Sequence, residues 1–288
     1  MDVLAPRTDV LSVNPPIGVD EFLSVNGSDW LWAVTALHIA AFLGLLCFCF
    51  VSHESQRVFH YTFTIALLVG AVTYYAQAAD LGWSAVAQAD HARSNGALRQ
   101  VFYAKYINWC ISFPAVALAL GLLSGVSWTT IVCNISVAWF WVLAYLAAAY
   151  TTTSYKWGFF AFGTLAWVIL AMSTLNESRE EAARLGIGRD YTVLAAWPNL
   201  LWLLYPIAFA LSDGGNVIGV TGGFVFFGVL DLLMVPVLSF AFFALGRRWD
   251  WAQLNLDFSE FRGAGRGRNQ PAKEPAPAPA DGGDTAAV

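Results

Sequence analysis

Charge is scarce in this chain. Of 288 residues, 15 are Lys or Arg and 20 are Asp or Glu, so only 12% are charged while 58% are hydrophobic; an ordinary soluble domain carries about 25% charged residues. Too few charges remain to cover a soluble surface, and the uncharged stretches are long enough to cross a bilayer, which takes about 20 apolar residues. These runs are continuous. They do not alternate every second residue, which excludes a membrane β-barrel. Cysteine is scarce too: Cys47, Cys49, Cys110 and Cys133 all fall in apolar segments, where they act as small packing residues. No paired spacing indicates a disulfide framework or a zinc site, and no metal is expected. No nucleophile–base pair or ligand cluster lies within reach, so an enzyme is not expected. There is no internal repeat. The net charge of −5 is spread over the connections, and no nucleic-acid partner is expected. Residues 1–25 lack an apolar core, so no cleavable signal is expected and the first apolar segment would be its own insertion signal.

What is present is seven apolar segments, and the expected fold class is an all-α membrane protein built as a seven-transmembrane-helix bundle. The predicted spans are 30–51, 58–79, 101–121, 128–150, 156–176, 191–212 and 217–246, with a turn at 121–127 dividing one over-long run into the third and fourth. They make up a domain at 29–247, preceded by an extracellular segment at 1–28 and followed by a juxtamembrane segment at 248–262 and a disordered, Gly/Pro/Ala-rich cytoplasmic tail at 263–288. With the N-terminus outside, the inner connections hold Arg57, Arg179, Arg184, Arg189, Arg247 and Arg248, and the outer ones Arg7, Arg93 and Arg99. That bias favours N-terminus out and C-terminus in. Trp249, Trp251, Phe258 and Phe261, mixed with charges, suit an extension along the inner membrane surface. Asn26-Gly27-Ser28 is a glycosylation candidate on the outer side.

Asp231 is read as the one carboxylate inside an apolar segment, and no lysine follows it one turn later. A charge in hydrocarbon costs roughly 2.5 kcal/mol or more, so it needs a partner. Lys105 is the expected partner, in a buried charge pair with Asp231; the alternative is that Lys105 snorkels to the surface. Lys105, Asn108, Trp109 and Ser112 share a stripe on the third helix, which Pro114 should kink, and Trp202, Tyr205, Pro206 and Phe209 share one on the sixth. Together with Phe159 and Phe160 these rings either line a slot for a flat apolar ligand or fill the core. His38 and His60 are read as packing histidines.

These residues resemble the microbial (type 1) rhodopsins, fungal opsins in particular, over all seven helices. The third helix reads Tyr103-Ala104-Lys105-Tyr106-Ile107-Asn108-Trp109 with Ser112 and Pro114, the fifth Tyr155-Lys156-Trp157-Gly158-Phe159-Phe160-Ala161, the sixth Trp202-Leu203-Leu204-Tyr205-Pro206, and the seventh Leu230-Asp231. The resemblance implies a retinal pocket at Trp109, Ser112, Pro114, Phe159, Phe160, Trp202, Tyr205, Pro206, Phe209, Asp231 and Val235. It also implies losses. The lysine that binds retinal should stand at Val235, the proton acceptor at Asn108, the arginine at Lys105 and the proton donor at Ala119. Without a primary amine at 235 no Schiff base forms there, so no covalent cofactor and no light-driven proton pumping are expected. The pattern resembles fungal opsin-related proteins that lack the lysine and are linked to heat or stress at the plasma membrane. It implies a stress-associated or chaperone-like membrane protein, with the lipid bilayer, other plasma-membrane proteins and a homo-oligomer as candidate partners. Two alternatives stay open: a sensor that binds retinal or a lipid non-covalently, and a photoreceptor or ion-transporting opsin with an unusual linkage through Lys105 or Lys156.

Overall fold

The computed structural model describes residues 9–52, 57–90, 97–249, 251 and 254. Seven helices long and apolar enough to span a membrane make up most of it: α1 (Val25–Val51), α2 (Arg57–Ala78), α3 (Tyr103–Ser124), α4 (Trp128–Tyr150), α5 (Lys156–Arg184), α6 (Gly188–Gly214) and α7 (Val220–Gly246). Local chemistry sets several ends. Ser24 caps α1 by accepting the Gly27 N–H, and Ser127 caps α4 by accepting the Thr130 N–H. Gly125 ends α3 in the left-handed region at φ 74°. Gly121, by contrast, is not part of a turn. It lies inside α3, where an added Cβ would stand 2.8 Å from Ile131 Cγ1, so it lets α4 approach closely.

The expected all-α, seven-helix bundle is what the chain forms, with one added element. Between α2 and α3, β1 (Trp83–Ala87) and β2 (Leu98–Phe102) form an antiparallel hairpin in which Trp83 faces Phe102 and Ala87 faces Leu98. Residues 101 and 102, expected to open the third helix, therefore belong to a strand. Glu21 adds a bridge to Arg99 on the outer edge of β2. Other bounds shift as well. α1 starts at 25 rather than 30, α5 runs past 176, α6 begins at 188 and α7 at 220. Three helices contain wider π turns, at Ser173–Glu177, Ala210–Gly214 and Leu233–Val237. The extra residue in each lets a helix continue where a regular pattern would read as a stop. The juxtamembrane segment is described only at Trp249, Trp251 and Leu254, and the tail at 263–288 lies outside the described residues.

α3 is the most buried span and α5 the least. The outer shell is apolar, with Phe140 on α4 and Phe162 on α5 turned outward. Such a shell suits lipid, and this is an integral membrane protein.

Candidate functional site

At the centre of the bundle the Asp231 carboxylate, on α7, is held by four neutral donors. Tyr74 (α2) donates its hydroxyl to Oδ2 at 2.5 Å and Tyr205 (α6) donates to Oδ1 at 2.5 Å. From α3, Trp109 Nε1 donates to Oδ1 at 3.0 Å and Asn108 Nδ2 to Oδ2 at 3.2 Å. The expected Lys105–Asp231 pair is not formed. Lys105 Nζ lies 2.5 Å from Oδ2 of Asp213, which also accepts from the Tyr106 hydroxyl at 2.8 Å. The reason is geometric. Lys105 sits one turn before Trp109, about 6 Å along the helix axis, and the π turn that closes α6 brings Asp213 to that level. Asp213 lies at four-residue spacing after Tyr205 and Phe209, on the same inward face. That periodicity was the available signal; the sequence reading instead treated Asp213 as a border between two apolar runs. Asp231 is therefore not the only carboxylate within a span.

Above this pair lies a second layer. Arg99 on β2 is 1% exposed and donates Nη1 to Asn216 Oδ1 at 2.6 Å, to the Ile218 carbonyl at 2.9 Å and to Glu21 Oε2 at 3.3 Å. Its Nε stands 3.5 Å from Asp213 Oδ1. Outside the spans, Asp80 is buried in the turn before β1 and accepts from Gln100 Nε2 at 2.6 Å. Burial pushes its carboxyl up to about 6, while the Gln100 hydrogen bond pulls the other way.

The aromatic residues singled out from the sequence converge, with one exception. Trp109, Trp202, Tyr205 and Phe209 are all buried. Phe160 stacks on Phe209 and Tyr145 at centroid distances of 5.7 and 5.4 Å. Phe159 does not join them: it is 43% exposed on the outer face of α5, because adjacent helical residues point about 100° apart. Ser112 and Ala119 are buried on α3 beside the internal Pro114, Pro206 lies inside α6, and Val235 is buried in the π turn of α7. Asn26 is exposed in the first turn of α1, but Ser28 of the same motif is buried, with its hydroxyl on the Ala78 carbonyl at 2.7 Å.

Two rings that the sequence reading passed over bridge the others. Phe113 lies 4.9 Å from Trp141, 4.9 Å from Tyr205, 5.8 Å from Trp202 and 5.9 Å from Trp109. Trp141 in turn lies 6.1 Å from Trp202 and 6.0 Å from Tyr145, which lies 4.6 Å from Phe209. These are contact distances for aromatic pairs. The rings thus run without a break from Trp109 to Phe209.

The family profile described as bacteriorhodopsin-like protein matches residues 27–248. The chain belongs to that family. Among its relatives, the opsin-like protein carO of Fusarium fujikuroi is 34% identical, over 88% of this chain and 85% of its own length. The 30 kDa heat shock protein of Saccharomyces cerevisiae is 29% identical, over 80% of this chain and 76% of its own. Among solved structures, the light-driven proton pump LR (Mac) from Leptosphaeria maculans superposes with a TM-score of 0.75 at 27% identity, covering 81% of this chain and 98% of that one. The family in general binds retinal. What this chain offers such a group is a buried carboxylate with its donors at Asp231, an α7 without any lysine, and an interior in which Phe113 and Trp141 touch the rings around them.

Proposed function

We propose that this is an opsin-fold membrane protein whose chromophore site has become packed core, so that it neither absorbs visible light nor pumps protons. The observation that carries this reading is the position of Phe113, whose ring is in contact with Trp109, Trp141, Trp202 and Tyr205 together. A flat polyene cannot share that space with a ring already touching four neighbours, since protein interiors leave few voids. Retinal therefore does not fit the residues present, bound covalently or otherwise. The chemistry agrees. Val235 supplies no amine for an imine, and the Asn108 side-chain amide, which donates to Asp231, cannot serve as a proton acceptor. Ala119 offers no carboxyl to return a proton. Lys105 is a poor substitute anchor, because its amine is already held against Asp213, about two turns along α3 from the ring cluster's Phe113.

The role that remains is that of a non-enzymatic membrane protein acting through other proteins. We place it at the plasma membrane, N-terminus outside, as a stress-associated or chaperone-like partner. The likeness to a relative named for heat shock supports the stress association, and the arginine bias of the connections supports the orientation. The test is an absorption spectrum of the purified protein expressed with all-trans-retinal, followed by borohydride to trap any imine. No visible band and no adduct are expected. A band bleached by borohydride would overturn the packed-core reading and return a photoreceptor or ion-transporting opsin to first place.

A further inference from the structure

At the end of the bundle away from the hairpin, the tips of α5, α6 and α7 enclose a cleft of about 330 Å3. Leu185 and Ile187, from the connection between α5 and α6, give it an apolar floor. After α7 ends at Gly246 the chain turns back, and Trp249 packs edge-on against Phe242 at 5.5 Å. That turn brings Arg248 to the same cleft as Arg189, at the start of α6. Trp249 Nε1 donates to Asp190 Oδ2 at 2.8 Å, so the one carboxylate among the described residues lining the cleft is engaged by an indole. The side chains of Arg189 and Arg248 are exposed and make no hydrogen bond or ion pair among the described residues. Nearby Arg184, by contrast, is paired with Glu181 at 2.7 Å. The described lining of the cleft thus carries two guanidinium groups and one carboxylate.

We propose that this cleft binds the phosphate of an anionic phospholipid headgroup. A guanidinium presents a planar fork that matches phosphate oxygens two at a time, and the two such forks at the cleft have no anionic partner among the described residues. The position selects a lipid over a soluble anion. The cleft opens where three spans leave the hydrocarbon, with an apolar floor beside it for the first carbons of the lipid and a tryptophan at the depth such residues favour. Basic pockets between transmembrane helices are established headgroup sites in general.

The test uses the full chain in nanodiscs of phosphatidylcholine alone or with added phosphatidylserine, reading the melting temperature and the phosphatidylserine retained on re-extraction. Phosphatidylserine should raise the melting temperature of the wild type. The double variant R189Q/R248Q should lose that rise, with retention falling about five-fold per arginine, while R247Q, at an exposed arginine outside the cleft, should keep it. R189K/R248K, which holds the charge but not the fork, should retain less lipid than the wild type and guards against a folding defect in the glutamine variant. An equal response in wild type and R189Q/R248Q would mean diffuse surface charge and overturn the site. So would no response in the wild type. Inorganic phosphate reproducing the effect in phosphatidylcholine discs would overturn the lipid assignment in favour of a soluble anion.

Discussion

Lys105 and Asp213 form a buried ion pair, 2.5 Å apart, while Asp231, on the neighbouring helix, is held by neutral donors instead. The two carboxylates therefore respond differently to neutralisation. Asp213→Asn leaves Lys105 and Arg99 facing each other without their shared counter-charge, and breaking a buried pair from one side costs about 3–5 kcal/mol. Adding Lys105→Met should recover part of that loss, with a coupling of about 0.5–3 kcal/mol between the two positions. Lys105→Met combined with Asp231→Asn should be nearly additive. Unfolding of the three single and two double variants in mixed micelles measures both couplings; a larger coupling for Asp231 than for Asp213 would contradict the pairing.

Much of this was legible in the sequence, and what was not has identifiable causes. Long uncharged runs mark helices whatever their detailed packing, so the seven spans stood out, as did the Trp202-x-x-Tyr205-Pro206 pattern. The hairpin did not, because the strand Leu98–Phe102 merges into the apolar start of α3 and five residues are too few to show a period of two. Asp213 was missed because a charged residue between two apolar runs reads as their border, although its four-residue spacing after Tyr205 and Phe209 puts it on the inward face. Phe113 and Trp141 belong to neither the polar stripe nor the motif residues, and filling the space between helices depends on which rings meet across them, which a linear pattern does not carry.

The packed core makes a prediction about restoring the anchor. Val235→Lys alone should give no visible pigment with retinal, because Phe113 and Trp141 still occupy the space. The triple variant Val235→Lys, Phe113→Ala, Trp141→Gly opens that space and supplies the amine, and should give a visible band that borohydride removes. The two core truncations cost about 3–5 kcal/mol each, so the comparison belongs in a stabilising lipid. A full band from Val235→Lys alone would show that the rings yield to the ligand.

Phe159 and Phe160 are adjacent in sequence and opposite in environment. Phe160→Ala removes a ring stacked on Tyr145 and Phe209 and should lower stability by about 3 kcal/mol or more. Phe159→Ala, on the outer face, should change it by no more than about 0.5 kcal/mol. Thermal unfolding of the two purified variants distinguishes them, and equal losses would place Phe159 inside the bundle.

Asp80 ties stability to pH on the hairpin side. Its folded value, about 6, lies above the ordinary carboxylate value of 3.8, chiefly because the group is buried. The folded protein thus holds this proton more tightly than the unfolded chain does. Between about pH 4 and pH 6 the unfolded state binds fewer protons, so the contribution of Asp80 to stability falls as pH rises and levels off above its folded value. Asp80→Asn removes the titration while keeping an oxygen for the Gln100 amide, and asparagine tolerates the positive φ of 57° at this position. Other carboxylates titrate in the same range, so the informative quantity is the wild-type stability minus that of Asp80→Asn. This difference should favour the wild type most near pH 4, decline towards pH 6 and stay constant beyond it. A difference that is flat across the window would mean that Asp80 is ionised in the folded protein as readily as in water, and one that rises with pH that it is ionised more readily; either would contradict the burial effect.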